Sequence, residues 1–371
     1  MRQNENREML NIEKIIQKAM GEKLLLRDEI IHLLSLENCD EIELLFRAAR
    51  DLRKRYFKNK VFLYGFIYFS TYCRNNCRFC ACRRSNFSAR RYRKQKEEVL
   101  EAALCLAESG VHLIDLTMGE DPFFFAENGF EFLLEQVKRV KEETSLPIMI
   151  SPGVVPDVVL KRISEMGVEW YASYQETHNP RLFAYLRPQQ DYWLRMNRKR
   201  LARRLGLLIE EGILTGIGDS PQDRADSIEG MRELGAHQVR VMSFIPQEGT
   251  PLSSFPSPPR IQEMKMIAVL RLCFPERLIP ASLDIDGIKN LRLRLDAGAN
   301  VITSLVPPLK GLSGVSQATL DIDEGYRSVR GVLPILQECG LEPASVEEYC
   351  YWIRAKKNEP QKEINKLEAR P

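Results

Sequence analysis

The sequence predicts an α/β chain folded as one (β/α)8 (TIM) barrel behind an N-terminal helical extension. Three observations carry that reading. Eight short apolar runs follow residue 60, each separated from the next by an amphipathic helical pattern. They span roughly 250 residues, the length such a barrel needs. A cysteine-rich segment follows the first run, where an open doubly wound sheet would carry a Gly-rich dinucleotide turn.

Residues 1–58 form the extension: IEKIIQKAM and DEIELLFRAARDLRKRY repeat apolar residues at three- and four-residue spacing. The barrel is expected over 59–345. Its strands are VFLYGFIYF (61–69), HLIDLTM (112–118), PIMIS (147–151), EWYASYQ (169–175), GILTGIG (212–218), QVRVMSF (238–244), RLIPASL (277–283) and NVITSLV (300–306). Between them KEEVLEAALCLAESG, FEFLLEQVKRVKEE and PDVVLKRISEMG read as helices, several ending in the glycine of a C-cap. Residues 346–371 read as a charged C-terminal tail, whose closing AKKNEPQKEINKLEARP is a frayed end or a solvated helix.

Composition limits the function. The 371 residues are 44% hydrophobic and 28% charged with net charge +3, ordinary for a globular enzyme. The N-terminal MRQNENREMLNIEK has no apolar core of a signal peptide. The longest apolar run falls short of the roughly 18 residues of a membrane span. A cytoplasmic protein with no membrane partner is expected, its cysteines reduced and free for metal or catalysis.

The segment YCRNNCRFCACRRSN (72–86) contains four of nine cysteines. Cys39, Cys105, Cys273, Cys339 and Cys350 are scattered and read as small buried hydrophobes. Three thiolates spaced Cys73-x3-Cys77-x2-Cys80 suit three irons of a [4Fe–4S] cluster and leave the fourth iron open. Adding Cys82 makes a four-thiolate zinc site the rival, although no second Cys-x2-Cys or His pair accompanies it. Other unusual residues also collect at strand ends, the catalytic rim of such a barrel.

Cys-x3-Cys-x2-Cys with Phe79 before its last cysteine resembles the signature of the radical S-adenosylmethionine (SAM) superfamily. RRSN…RYRKQKEEVLE and the GED after strand two resemble the biotin synthase and hydrogenase-maturase subgroup. DLTMGEDPFFF, LPIMISPG, YQET, GILTGIG, VRVMSFIPQEGTPL and RLIPASLDIDGI resemble the methylornithine synthase family in order over about residues 60–310. The resemblance implies a [4Fe–4S] cluster on Cys73, Cys77 and Cys80, with S-adenosyl-L-methionine as second cofactor. By the same likeness Glu120, Ser151, Glu176 and Arg195 contact S-adenosylmethionine, with Phe79 beside the adenine. Met118 stands where the family's Gly-Gly-Glu motif has its first glycine.

The family's reaction is the isomerisation of L-lysine to (3R)-3-methyl-D-ornithine through a 5′-deoxyadenosyl radical, the first step of pyrrolysine biosynthesis. The resemblance assigns Arg240, assisted by Ser282, to the lysine carboxylate, and Asp115 and Asp284 to its ammonium groups. Such a set is what a desolvated amino acid with two cations requires. It also implies an electron donor such as flavodoxin or ferredoxin. A different amino-acid substrate within the superfamily is one alternative. A zinc-containing RNA-binding protein is the other, suggested by DLRKRYFKNK, RRSNFSARRYRK and RMNRKRLARR. The near-balanced charge argues against a nucleic-acid partner.

Overall fold

The computed structural model describes residues 11–315 and 327–359. Eight parallel strands form the barrel: β1 Lys60–Ser70, β2 Leu113–Met118, β3 Ile148–Ser151, β4 Trp170–Ala172, β5 Leu208–Thr215, β6 Gln238–Ser243, β7 Pro280–Ser282 and β8 Val301–Leu305. Their order around the sheet is β6-β5-β4-β3-β2-β1-β8-β7. The ring is completed where Val239 N–H donates to Leu278 O (3.0 Å) and Leu278 N–H to His237 O (3.2 Å). This short β6–β7 bridge lies at the N-terminal end, so the barrel is nearly closed.

The two-residue period of each strand sorts side chains between the interior and the helical shell. Phe62 and Tyr64 of β1, Leu113 of β2, Met149 of β3 and Trp170 of β4 pack together inside the lower barrel. Val61, Leu63, Ile67, Ile114 and Leu116 belong instead to the outer core against the helices. By the same alternation Asp115, two residues past Leu113, also faces inward.

β5 begins at Leu208, not at Gly212 as the sequence suggests, and it stops before Gly216 and Gly218, both at positive φ. The expected strand, GILTGIG at 212–218, leaves LIEE outside the sheet. Both Glu210 and Glu211 are nonetheless fully buried there. β4 is also shorter than expected, since the chain leaves the sheet after Ala172.

The N-terminal helices Ile12–Met20, Arg27–Leu34 and Cys39–Phe57 pack on the outer helices Pro221–Leu234 and Arg260–Cys273. Buried Lys265 Nζ donates to Leu36 O at 2.7 Å, which ties the extension to the shell. No helix among the described residues is long and apolar enough to cross a membrane.

The expectation of a charged C-terminal tail from residue 346 needs correction for its first part. Val346–Lys357 is a helix, preceded by the two-residue strand β9 Glu342–Pro343 paired to β1. Tyr349 is fully buried under the barrel, its hydroxyl 2.7 Å from that of Tyr64. Trp352 stacks on Trp170 with 5.9 Å between rings. Apolar residues at three- and four-residue spacing (Val346, Tyr349, Ile353) drive this docking, and the surrounding charge masks them in the sequence. Residues 360–371 lie outside the described residues. Tyr349→Ala is expected to cost about 3–5 kcal/mol in denaturant unfolding. Tyr351→Ala, at a side chain 70% exposed, is expected to cost less than about 0.5 kcal/mol.

Candidate active site

The cysteine loop leaves the top of β1 and is fastened by its own arginines. Arg91 donates to the carbonyls of Thr71, Cys82, Arg83 and Asn86. Arg93 forms a bidentate pair with Asp121, both bonds 2.7 Å, and Ser70 Oγ donates to the same carboxylate at 2.5 Å. Gly119 admits the loop across the end of β2, because a Cβ there would stand 2.2 Å from Tyr72 O.

Cys73, Cys77, Cys80 and Cys82 line one cavity of about 740 Å³. Cys77 Sγ accepts from Gln190 Nε2 at 3.1 Å and Arg187 Nη1 at 3.4 Å, while Cys73 Sγ accepts from Asn75 N–H at 3.4 Å. Burial, then neighbouring Cys80 and Cys77, pushes the Cys73 thiol up to about 12. Burial also raises Cys77, whereas Cys80 is raised first by its hydrogen bond with Cys82 and then by burial. Three crowded thiolates are therefore unstable together unless positive charge lies between them, and the set fits an iron–sulfur core. Cys82 lies beside Cys80, but its sulfur accepts from Tyr68 Oη at 3.3 Å and packs in the outer core.

Glu120, Ser151, Glu176, Arg195 and Phe79 line the same cavity. Glu120 accepts from Arg74 Nε (3.0 Å), Arg195 Nη2 (3.2 Å) and Val154 N–H (3.1 Å). Against the upward push of burial, Arg195 and these donors hold its carboxyl below the ordinary range. Gly153 makes room for it: a Cβ there would fall 2.2 Å from Glu120 Cγ, and its φ is +80°. Arg195 belongs to the basic helix Tyr192–Arg204 but is buried inward, bonded to Ser173 Oγ at 2.7 Å and Gln190 Oε1 at 2.9 Å. A wholly solvated basic helix is thereby excluded.

Glu176 adopts φ +67°, held there by backbone bonds to Gly212 and Leu214 across β5. One of its oxygens accepts from Arg187 Nη2 at 2.8 Å; the other is buried with no hydrogen-bond partner among the described residues. Burial raises its carboxyl above the usual range although Arg187 and Arg195 oppose this. Such an oxygen suits a ligand that donates a hydrogen bond. Phe79 lies 5.1 Å from the Arg187 guanidinium.

A second cavity of about 770 Å³ continues inward from the first, sharing Phe79, Cys80, Ser151, Tyr174 and Glu176 with it. Asp115, Arg240 and Asp284 stand on its wall. Asp115 accepts only from hydroxyls, Thr117 Oγ1 at 2.8 Å and Ser151 Oγ at 3.2 Å. Burial, then the nearby Glu210, pushes it up to about 7. Arg240 gives Nε to Glu210 at 2.7 Å, and its Nη1 reaches Met242 Sδ at 4.0 Å. Two expectations fit less well. Asp284 is already paired with buried Arg327 at 3.3 Å and accepts from Val315 N–H, so its charge is matched within the chain. Ser282 is buried and does not line this cavity; its Oγ accepts from Asp284 N–H at 3.3 Å.

Sequence reasoning missed Arg187, Gln190, Tyr174, Lys199, Glu210 and Glu211. Tyr174 Oη and Gln238 Nε2 donate to Glu210 at 2.7 and 2.6 Å, so Glu210 gathers Arg240 and the cavity floor. The adjacent Glu-Glu in an apolar context was the available signal for this pair. Arg187 and Gln190 lie in LRPQQ, which carries no periodicity to mark it.

Comparison with known proteins places these features in a family. The model of the radical SAM superfamily matches residues 67–231. The 3-methylornithine synthase of Methanosarcina acetivorans is 45% identical over 322 residues, covering 87% of this chain and 91% of that one. The Methanosarcina barkeri protein of the same name is 44% identical over 332 residues, covering 88% and 94%. A crystal structure of methylornithine synthase superposes with a TM-score of 0.86 at 43% identity, covering 91% of this chain and 99% of that one.

Proposed function

The chain belongs to the methylornithine synthase family of the radical SAM superfamily, and from that premise we propose that it isomerises L-lysine to (3R)-3-methyl-D-ornithine. The observation that carries the substrate reading is a buried carboxylate, Asp115, that forms no ion pair among the described residues, on the wall of the same cavity as the Arg240 guanidinium. A cavity so equipped favours a zwitterion that brings its own ammonium.

The family uses a [4Fe–4S] cluster and S-adenosylmethionine. Cys73, Cys77 and Cys80 would hold the cluster, and Glu120, Ser151, Glu176 and Arg195 would hold S-adenosylmethionine, with Phe79 beside its adenine. When bound, the pair supplies a 5′-deoxyadenosyl radical by one-electron reductive cleavage. Arg240 takes the lysine carboxylate, oriented from behind by Glu210. Asp115 takes an ammonium group. Asp284 and Ser282 support the wall that carries these contacts. The reaction conserves atoms: a lysine C–C bond breaks and the fragments rejoin in branched form. Phe66, Leu214, Phe244 and Ile285 line the cavity, exclude water and keep both fragments in register. A one-electron donor protein completes the system.

Anaerobic incubation with S-adenosylmethionine, dithionite and L-lysine tests the reading by mass spectrometry. An isomer of lysine is expected. Deoxyadenosine formed only with another amino acid would overturn it. Cys80→Ala is expected to abolish the broad absorbance near about 400 nm that an iron–sulfur core gives, whereas Cys82→Ala retains it. Equal loss in both would exclude a three-cysteine site.

Asp115 also sets a pH dependence. Below its raised pKa of about 7 the carboxyl is neutral and cannot pair with an ammonium. The KM for lysine is therefore expected to fall as pH rises through about 7 and then level off. Asp115→Asn should remove that dependence and lower kcat/KM by roughly 30-fold or more, the loss of a buried charge pair. An unchanged KM–pH profile in the variant would assign the titration elsewhere.

A further inference from the structure

The arginines around the cysteine loop are only partly accounted for by fastening it. No acidic residue occurs between Asp51 and Glu97. Arg91 and Arg93 turn inward to carbonyls and to Asp121, but Arg84 and Arg90 point to solvent and form no ion pair among the described residues. Between them stands Phe87, 96% exposed, the most exposed large apolar side chain described. An aromatic ring held in water costs free energy on the free protein and gives it back when a partner covers it.

The patch is fastened by hydrogen bonds and adjoins the cysteines. Arg84 N–H donates to Asn75 O at 2.8 Å, and Asn76 Oδ1 accepts from both N–H and Oγ of Ser85. Asn86 Nδ2 bonds to the carbonyls of Ala81 and Glu248 at 2.9 and 2.8 Å. Arg83 N–H donates to Cys80 O at 3.1 Å, so the surface is the outer side of the turn that holds the thiols. Arg84 also lines an open cleft with Arg74, Glu120 and Arg198, which continues the basic face. The acids near it are Glu120, paired with Arg74 and Arg195; Asp157, paired with Arg198; Asp191, which caps a helix; and the exposed Glu248.

We propose that Phe87, Arg84 and Arg90 form the docking surface for a small acidic one-electron carrier protein that reduces the metal centre behind the cysteine loop. The proposal rests on the functional reading above, since only a redox centre there needs such a partner. One electron leaves the carrier's reduced cofactor and enters the cluster; no bond or proton moves. The charge sign selects an acidic partner, and Phe87 supplies the apolar anchor. Nucleic acid fits less well, because Arg53, Arg195 and Lys199 of the other basic runs are buried.

The test compares two reductants and a direct binding measurement on the reconstituted protein, with flavodoxin as carrier. In Phe87→Ala and in Arg84→Glu/Arg90→Glu, the Kd for flavodoxin is expected to rise about tenfold or more. Flavodoxin-driven deoxyadenosine formation should fall in parallel, while the dithionite-driven rate, which needs no docking, stays within about twofold. Carrier affinity in the unaltered protein should weaken with ionic strength. A Kd within about twofold of the unaltered protein in both variants, or an affinity indifferent to salt, overturns the surface. Loss of the dithionite-driven reaction in the unaltered protein would instead overturn the functional reading, and the Kd comparison still decides the surface.

Discussion

The structure depends on matching charges that the barrel takes out of water. On β5 the adjacent Glu210 and Glu211 point to opposite sides of the wall, and both are fully buried. Glu211 faces the shell, where Lys199 Nζ, Gln175 N–H and Gly212 N–H meet it. Against the push of burial, Lys199 and His178 keep it below the usual carboxylate range. Glu210 faces the interior and gathers Arg240, Tyr174 and Gln238. Removing either carboxylate would leave a buried cation unpaired, a loss of about 3–5 kcal/mol. One wall segment therefore fixes both the 175–178 loop that carries Glu176 and the arginine at the cavity floor.

Against this matched background, Asp115 stands out because among the described residues it forms no ion pair, and Glu176 because one of its oxygens meets no hydrogen-bond donor there. A protein interior tolerates such groups where a ligand completes them. Their cavities adjoin and share Phe79, Cys80, Ser151, Tyr174 and Glu176, so the cysteine site and the Asp115–Arg240 site lie side by side. The aromatic floor closes the other end: Tyr64, Tyr349, Trp170 and Trp352 seal the base of the barrel.

Arginine is used here in three physical roles that sequence composition cannot separate. Arg91 is a staple for carbonyls, Arg187 and Arg195 are buried counter-charges to thiols and carboxylates, and Arg84 and Arg90 are solvent-facing. The planar five-donor guanidinium suits the first two, and a lysine would not span the same acceptors. Position relative to the loop, not residue type, decides which role each one has.

The sequence by itself determined the barrel class, because alternating apolar runs and helical periods are local properties of the chain. It also marked the cysteine loop, since sulfur spacing is linear and chemically rare. Glu120, Ser151 and Glu176 were legible as polar residues at strand ends, as was inward-facing Asp115. Only the tertiary structure decided that β5 carries two glutamates into the core, since their partners Lys199 and Arg240 come from other elements. Likewise it engaged Asp284 with Arg327, withdrew Ser282 from the cavity wall and turned the expected tail into the barrel's floor. Each of these rests on a contact between segments far apart in the chain. A charge's burial is set by the partner that folding brings to it, and no local pattern contains that partner.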